Sequence, residues 1–421
     1  MLNPSQNIVS LSRHNVAERV DRSSFGKLLA VHGVFSALTL WVVFQQATDF
    51  NQALARGMFI PDVVNMTQTF DNLWRLYGIV PYEPSFSGVS IIYGWTWLIS
   101  PSIAWFINNI FMFAAGYVYI KYLVPRLRLD GWAVLVVYAN PYLILASVGP
   151  NKEIPLILMS LIWLSLLLSS HSLKWPLAFL LSFAAYFIRD GFGFILLMAT
   201  VFSIIWGSAS RKVPVSMLAF GGFVSIAFGV LVQYSDTLAR NLAVLEQGFD
   251  QGTAIGAIAE GMGLNPSSLT GGLALYFIRL IYNALVLGIF PNLNTIFGYW
   301  NLLGVSYWVT GILIIISIIS SGLIIIYDKI DKNVGGPIFL FFLTCLFAIS
   351  ISQFVQPRYL MPAIPIGLCT ALYLPPSMRK KVYTATLVLI ISVVMLYGLA
   401  GKRPAAEVIA QIETPAFVWF D

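Results

Sequence analysis

The sequence predicts an all-α, multi-pass integral membrane protein with about eleven transmembrane helices, two interfacial helices, a cytoplasmic N-terminus and a C-terminus outside. Three observations predict it. Of 421 residues, 58% are hydrophobic and only 10% charged, against about half and a quarter in soluble domains. The mean hydropathy is +0.81. Apolar runs of about 18 residues, the length that crosses a bilayer core, recur from Leu28 to Ala400. Basic residues are unevenly spread between alternate loops, which sets orientation.

The predicted order begins with a cytoplasmic tail, residues 1–27, which lacks a cleavable signal pattern. A single transmembrane domain, residues 28–400, follows. Its spans are read at 28–46, 102–120, 132–148, 154–169, 175–188, 191–207, 213–233, 304–326, 336–353, 359–375 and 382–400. Outer-face loops cover 47–101 and 234–303, and an outer tail covers 401–421. This arrangement leaves Lys27, Lys121, Arg126, Arg128, Lys174 and nine other basic residues of the inner loops and tail, plus Lys332, on the cytoplasmic side. Most of the 18 acids then fall outside. The apolar stretches 86–100 and 272–290 fit no crossing without inverting that charge bias. They are read as helices at or dipping into the outer interface, a depth that suits Trp95, Trp97, Tyr276 and Tyr282.

Against so apolar a background, each charge beside a span needs a reason. Asp49 follows the first span; a carboxylate there can serve as a general base or bind a divalent cation, the plain alternative being a solvated loop acid. Lys152 and Glu153 open the fourth span after Pro150. Lys offers a point charge to a phosphate and Glu accepts a proton or a hydroxyl bond; the plain alternative is an interfacial pair that caps the span. Arg189 and Asp190 precede Gly191 and Gly193 in a tight turn, where Arg is a natural anion ligand or the partner of its neighbouring acid. Arg279 stands inside an apolar stretch, a functional position by default, the plain alternative in an interfacial helix being a snorkelling side chain. Arg358 and Tyr359 open the tenth span among Pro357, Pro362 and Pro365. Those prolines break regular helix and free carbonyls, which protein or a cavity must satisfy.

There is no phosphate-binding glycine loop, dinucleotide fingerprint or HExxH pair. The three histidines, His14, His32 and His171, are dispersed, and Cys345 and Cys369 lack metal-ligand spacing. Metal: none is the expectation for the site, with a divalent cation at Asp49 as the alternative. The basic balance of +6 sits in short loops and carries no expectation of nucleic acid.

Taken in order, these clusters resemble the C-type-fold membrane glycosyltransferases that use polyprenyl-phosphate sugars. Bacterial O-antigen and exopolysaccharide repeat-unit polymerases are similar in layout. The resemblance rests on Asp49-Phe50-Asn51-Gln52-Ala53-Leu54-Ala55-Arg56, with Phe50 where a second acid is common, and on Pro81-Tyr82-Glu83-Pro84 through Trp97. It continues through Glu153, Arg189 and Arg358-Tyr359-Leu360-Met361-Pro362. It implies an inverting glycosyl transfer at the outer face of a bacterial inner membrane, in cell-surface polysaccharide biosynthesis. The implied partners are a polyprenyl-(di)phosphate-linked saccharide, a glycan acceptor, the lipid bilayer and other polysaccharide-assembly proteins. Asp49 and Glu153 are then the catalytic residues. Lys152, Arg189, Arg279, Arg358 and Tyr359 bind substrate and phosphate. A transporter or flippase of lipid-linked saccharides is the alternative.

Overall fold

The computed structural model describes residues 22–45, 84–99, 102–208, 302–326, 332–351 and 357–400. All regular structure among them is helical. In chain order the helices are α1 (Arg22–Gln45), α2 (Pro84–Ile99), α3 (Ser102–Val118), α4 (Leu135–Tyr138), α5 (Tyr142–Ala146) and α6 (Glu153–Leu167). They continue with α7 (Lys174–Ile188), α8 (Asp190–Ser208), α9 (Leu302–Ile326), α10 (Lys332–Ile351), α11 (Ile364–Tyr373) and α12 (Pro376–Ala400). Among the described residues, three segments are long and apolar enough to cross a membrane: Arg22–Val42, Ile103–Arg126 and Trp308–Ile325. Shorter apolar helices surround them at Glu153–Leu167, Lys174–Ile188, Gly191–Trp206, Asn333–Ala348 and Tyr359–Tyr373. Among the described residues the fold is all-helical, and three of its segments have the length and composition of membrane spans.

α1 and α3 pack antiparallel, and their polar side chains set the register. Gly116 faces Leu28, Ser36 donates to Asn109 Oδ1 at 2.7 Å, and Trp105 Nε1 donates to Thr39 Oγ1 at 2.9 Å. In an apolar medium an unpaired hydroxyl or amide is costly, so only a few registers satisfy all of these groups. α3 continues beyond the expected end at residue 120. A π-turn at Tyr119–Leu123 and a last turn at Val124–Arg126 extend it.

The expected span over 132–148 is not one helix, and this is a correction. The segment is a 3-10 turn at Gly131–Val134, then α4, a break at Ala139–Pro141, and α5. Pro141 cannot donate to the preceding turn. Asn140 takes over locally, its Oδ1 accepting from the Tyr142 backbone N–H at 3.0 Å and from Thr310 at 2.8 Å. The chain therefore crosses this depth as two short helical pieces, with a buried amide at the break.

The remaining helices pack by close approach. α7 and α8 form a hairpin with a one-residue link, in which Gly193 lies against the backbone of Tyr186. Gly367 on α11 meets Ser317 on α9 just as closely. A side chain at either position would push the pair apart. Trp163, fully buried on α6, stacks with Phe341 of α10 at 5.2 Å and donates from Nε1 to Thr200 at 2.8 Å. The tenth expected span, 359–375, begins as a 3-10 turn at Pro357–Ala363 and becomes α11 only at Ile364.

The stretch expected to be interfacial at 86–100 lies within α2 except for its last residue, Ser100, which is outside the described residues. A Cβ at Gly88 would stand 2.8 Å from the Phe187 carbonyl. α2 thus lies across the end of α7. Its counterpart at 272–290 and the expected span 213–233 lie outside the described residues.

Candidate functional site

The bundle has two chemically different ends. At one, the start of α1 meets the loop after α3, and Lys27 Nζ lies 3.1 Å from Asp130 Oδ2. At the other, the start of α6, the α7–α8 link and the 3-10 turn before α11 converge. The α1–α3 register separates the two, because Trp105 and Asn108 lie at the far end of that pair from Lys27.

The second end is built on a turn that a polar bracket holds. The buried Asn108 on α3 donates through Nδ2 to the carbonyls of Ser147 at 3.1 Å and Gly149 at 2.8 Å. Its Oδ1 accepts from the Tyr93 hydroxyl of α2 at 2.6 Å. Asn151 donates to the carbonyls of Ala146 at 2.7 Å and Gly149 at 3.1 Å. Its Oδ1 accepts from the Ile154 backbone N–H at 2.8 Å. That last bond occupies one of the orphan donors at the start of α6. Glu153 occupies the first turn of α6, where the helix dipole favours a carboxylate. Pro155, also in that turn, removes a donor that would have had no partner.

Glu153 is 3% exposed and Arg189 13%, and Arg189 Nη2 donates to Glu153 Oε1 at 2.9 Å. Arg189 has extended backbone at the end of α7, and its carbonyl accepts from Phe192 and Gly193 to start α8. The one-residue link thus aims the guanidinium back across the bundle toward α6. Its central carbon lies 4.9 Å from the ring centre of Tyr359, over the ring face, a cation–π contact. Arg189 Nη1 is buried and has no hydrogen-bond partner among the described residues. Lys152 is also buried, beside Glu153 in sequence. The carbonyl of Pro362, in the turn that carries Tyr359, accepts from Ser160 of α6 at 2.8 Å. That is how the protein answers the carbonyls that the prolines release.

Four of the residues expected from the sequence, Lys152, Glu153, Arg189 and Tyr359, therefore come together. Of the partners weighed for Arg189, Glu153 lies 2.9 Å away; the side chain of its neighbour Asp190 lies outside what is described. Arg358 lies in the same 3-10 turn as Tyr359, with its side chain outside what is described. Asp49 and Arg279 lie outside the described residues. Tyr93, Asn108 and Asn151 were missed as site residues. The available signal for Asn108 was an amide inside an apolar run, which needs a partner wherever it lies. Among the described residues no group of three or more His, Cys, Asp or Glu side chains gathers as a metal site would.

Comparison with protein-family models, with curated proteins and with solved structures returned no match.

Proposed function

We propose that the chain is a membrane glycosyltransferase or polysaccharide polymerase. It would use polyprenyl-phosphate-linked sugar donors at the outer face of a bacterial inner membrane. The supporting observation is the convergence of Lys152, Glu153, Arg189 and Tyr359 at the bundle end opposite the Lys27–Asp130 pair. A lipid-linked donor presents its phosphate at a membrane face, so cations must be held there and kept from collapsing into solvent. Lys152, Arg189 and Arg358 would stabilise charge developing on the leaving phosphate. Asp49 would deprotonate the acceptor hydroxyl. Glu153, whose Oε1 is committed to Arg189, would orient that guanidinium rather than collect a proton. The displacement inverts the sugar, and no covalent intermediate on the protein is required.

A second reading, transport of the same lipid-linked saccharide, is favoured by the interrupted α4–α5 segment with Asn140 buried at its break. Broken helices lining a polar path are a transporter feature. The two readings part on product. Glycan length and yield are measured in cells carrying Arg358→Ala or Lys152→Gln at matched membrane levels. Lost polymer with accumulating lipid-linked single units supports transfer at this site. Unchanged polymer from either well-expressed variant removes the assignment of that residue, and unchanged polymer from both removes the site. Translocation of a fluorescent lipid-linked saccharide across vesicles without added acceptor supports transport instead.

A further inference from the structure

We infer that the loop closing α3, at the Lys27–Asp130 end of the bundle, is a binding site for an anionic phospholipid headgroup. The site is centred on Arg126 and Arg128. The first observation is conformational. Arg128 has φ 52° and is the one non-glycine residue with positive φ among the described residues. Its setting explains why. The Leu129 N–H donates to the Val124 carbonyl at 2.9 Å and the Arg128 N–H to the Pro125 carbonyl at 3.3 Å. These are the paired bonds of the motif that ends a helix through one left-handed residue, a position normally given to glycine. An L side chain there costs about 1 kcal/mol or more. The chain carries an arginine at a place where the backbone favours the absence of any side chain.

The second observation is electrostatic. Arg126 and Arg128 are both exposed, and among the described residues neither takes part in an ion pair. The nearby acid, Asp130, is already engaged by Lys27 at 3.1 Å. Lys121, one turn back on α3, lies 5.5 Å from the ring centre of Tyr117 and 5.2 Å from that of Tyr122. The third observation is depth. Trp132 is 51% exposed and Tyr122 42%, and Lys27 lies 5.7 Å from the Trp132 ring centre. Half-exposed aromatics beside cations at the end of a membrane-length helix mark the headgroup level. Two planar guanidinium groups two residues apart at that level suit a phosphodiester. Anionic lipid adds roughly fivefold in affinity per basic residue near the surface. An exposed apolar rim of Leu135 and Trp132 would accompany the acyl chains.

The test uses the full chain in nanodiscs of phosphatidylcholine alone and of phosphatidylcholine mixed with phosphatidylglycerol, with the thermal midpoint as readout. Wild type is expected to gain stability from the anionic lipid. Arg128→Gly gives a two-part signature. It raises the midpoint in phosphatidylcholine, because glycine relieves the backbone, and it loses most of the gain from phosphatidylglycerol. Arg126→Gln loses a similar part of that gain, and Arg128→Lys keeps most of it. No gain in wild type, or a full gain retained in both Arg126→Gln and Arg128→Gly, overturns the inference. So does an equal gain from inorganic phosphate in phosphatidylcholine discs, which would make the ligand a soluble anion. Failure of this test leaves the site at Glu153 and Arg189 untouched.

Discussion

Removing Arg189 while keeping Glu153 is expected to destabilise the protein more than removing both charges. At 2.9 Å and an effective dielectric of about 20, the attraction is about 6 kcal/mol. Burying two ions costs several kcal/mol each, so the pair as a whole is worth little. Each partner alone is a liability. With Glu153 only 3% exposed, Arg189→Gln takes from a buried carboxylate the guanidinium that pairs with it, at about 3–5 kcal/mol. That moves the folding equilibrium by about two to four orders of magnitude. Glu153→Gln costs less, because Arg189 is longer, more exposed at 13%, and still rests on Tyr359. The double change Glu153→Gln with Arg189→Gln recovers about 2 kcal/mol or more relative to the sum of the single changes. Reversible unfolding in mixed detergent micelles, followed by circular dichroism, measures all four proteins. A coupling below about 0.5 kcal/mol, the value for exposed pairs, would refute the claim that this pair is buried and mutually dependent.

Other expectations follow from the same contacts. Asn108→Leu removes three hydrogen bonds, leaving the Ser147 carbonyl without Asn108 and the Gly149 carbonyl with Asn151 alone, costing about 2–4 kcal/mol; Tyr93→Phe, losing one, costs about 1 kcal/mol, both read from the same unfolding curves. Gly193→Ala drives a methyl into the Tyr186 backbone and costs about 1–3 kcal/mol, with the shift in thermal midpoint as the check. The backbone N–H of Trp132, then Lys27, hold the Asp130 carboxyl below its usual range. Its small contribution is present at neutral pH and fades as pH falls through that lowered value. Asp130→Asn should flatten this part of a pH–stability profile. Lys27→Met should flatten only the lesser share, and equal effects of the two would contradict that order.

Much of the fold was legible because its cause is local. A run of apolar residues must bond its own backbone in lipid, so α1, α3, α9 and α12 follow from composition and length. Helix ends were less legible. α1 already includes Arg22–Lys27, ahead of the apolar run, because a helix propagates through polar residues once the membrane segment nucleates it. The break in 132–148 was written in Asn140-Pro141, yet hydropathy averages over both residues and reads through them. Lys152-Glu153, Arg189 and Tyr359, far apart in sequence, were each visible as charges beside a span or, for Tyr359, as the neighbour of Arg358 and Pro357. Asn108 and Tyr93 were not, since one amide or phenol inside an apolar run carries no address.

The sequence by itself determined that the described residues are helical, that several of their segments are apolar enough for a membrane, and that the charges among them sit at helix ends. Water and lipid impose those outcomes residue by residue. Tertiary structure alone decided that Arg189 pairs with Glu153, 36 residues away in sequence, because the one-residue link between α7 and α8 aims its side chain at the start of α6. It also decided that Asn108 holds the turn before that helix and that Arg128 carries a charge on a left-handed residue. Partners in a bilayer are chosen by which helices lie side by side, and the spacing of residues along the chain does not encode that choice.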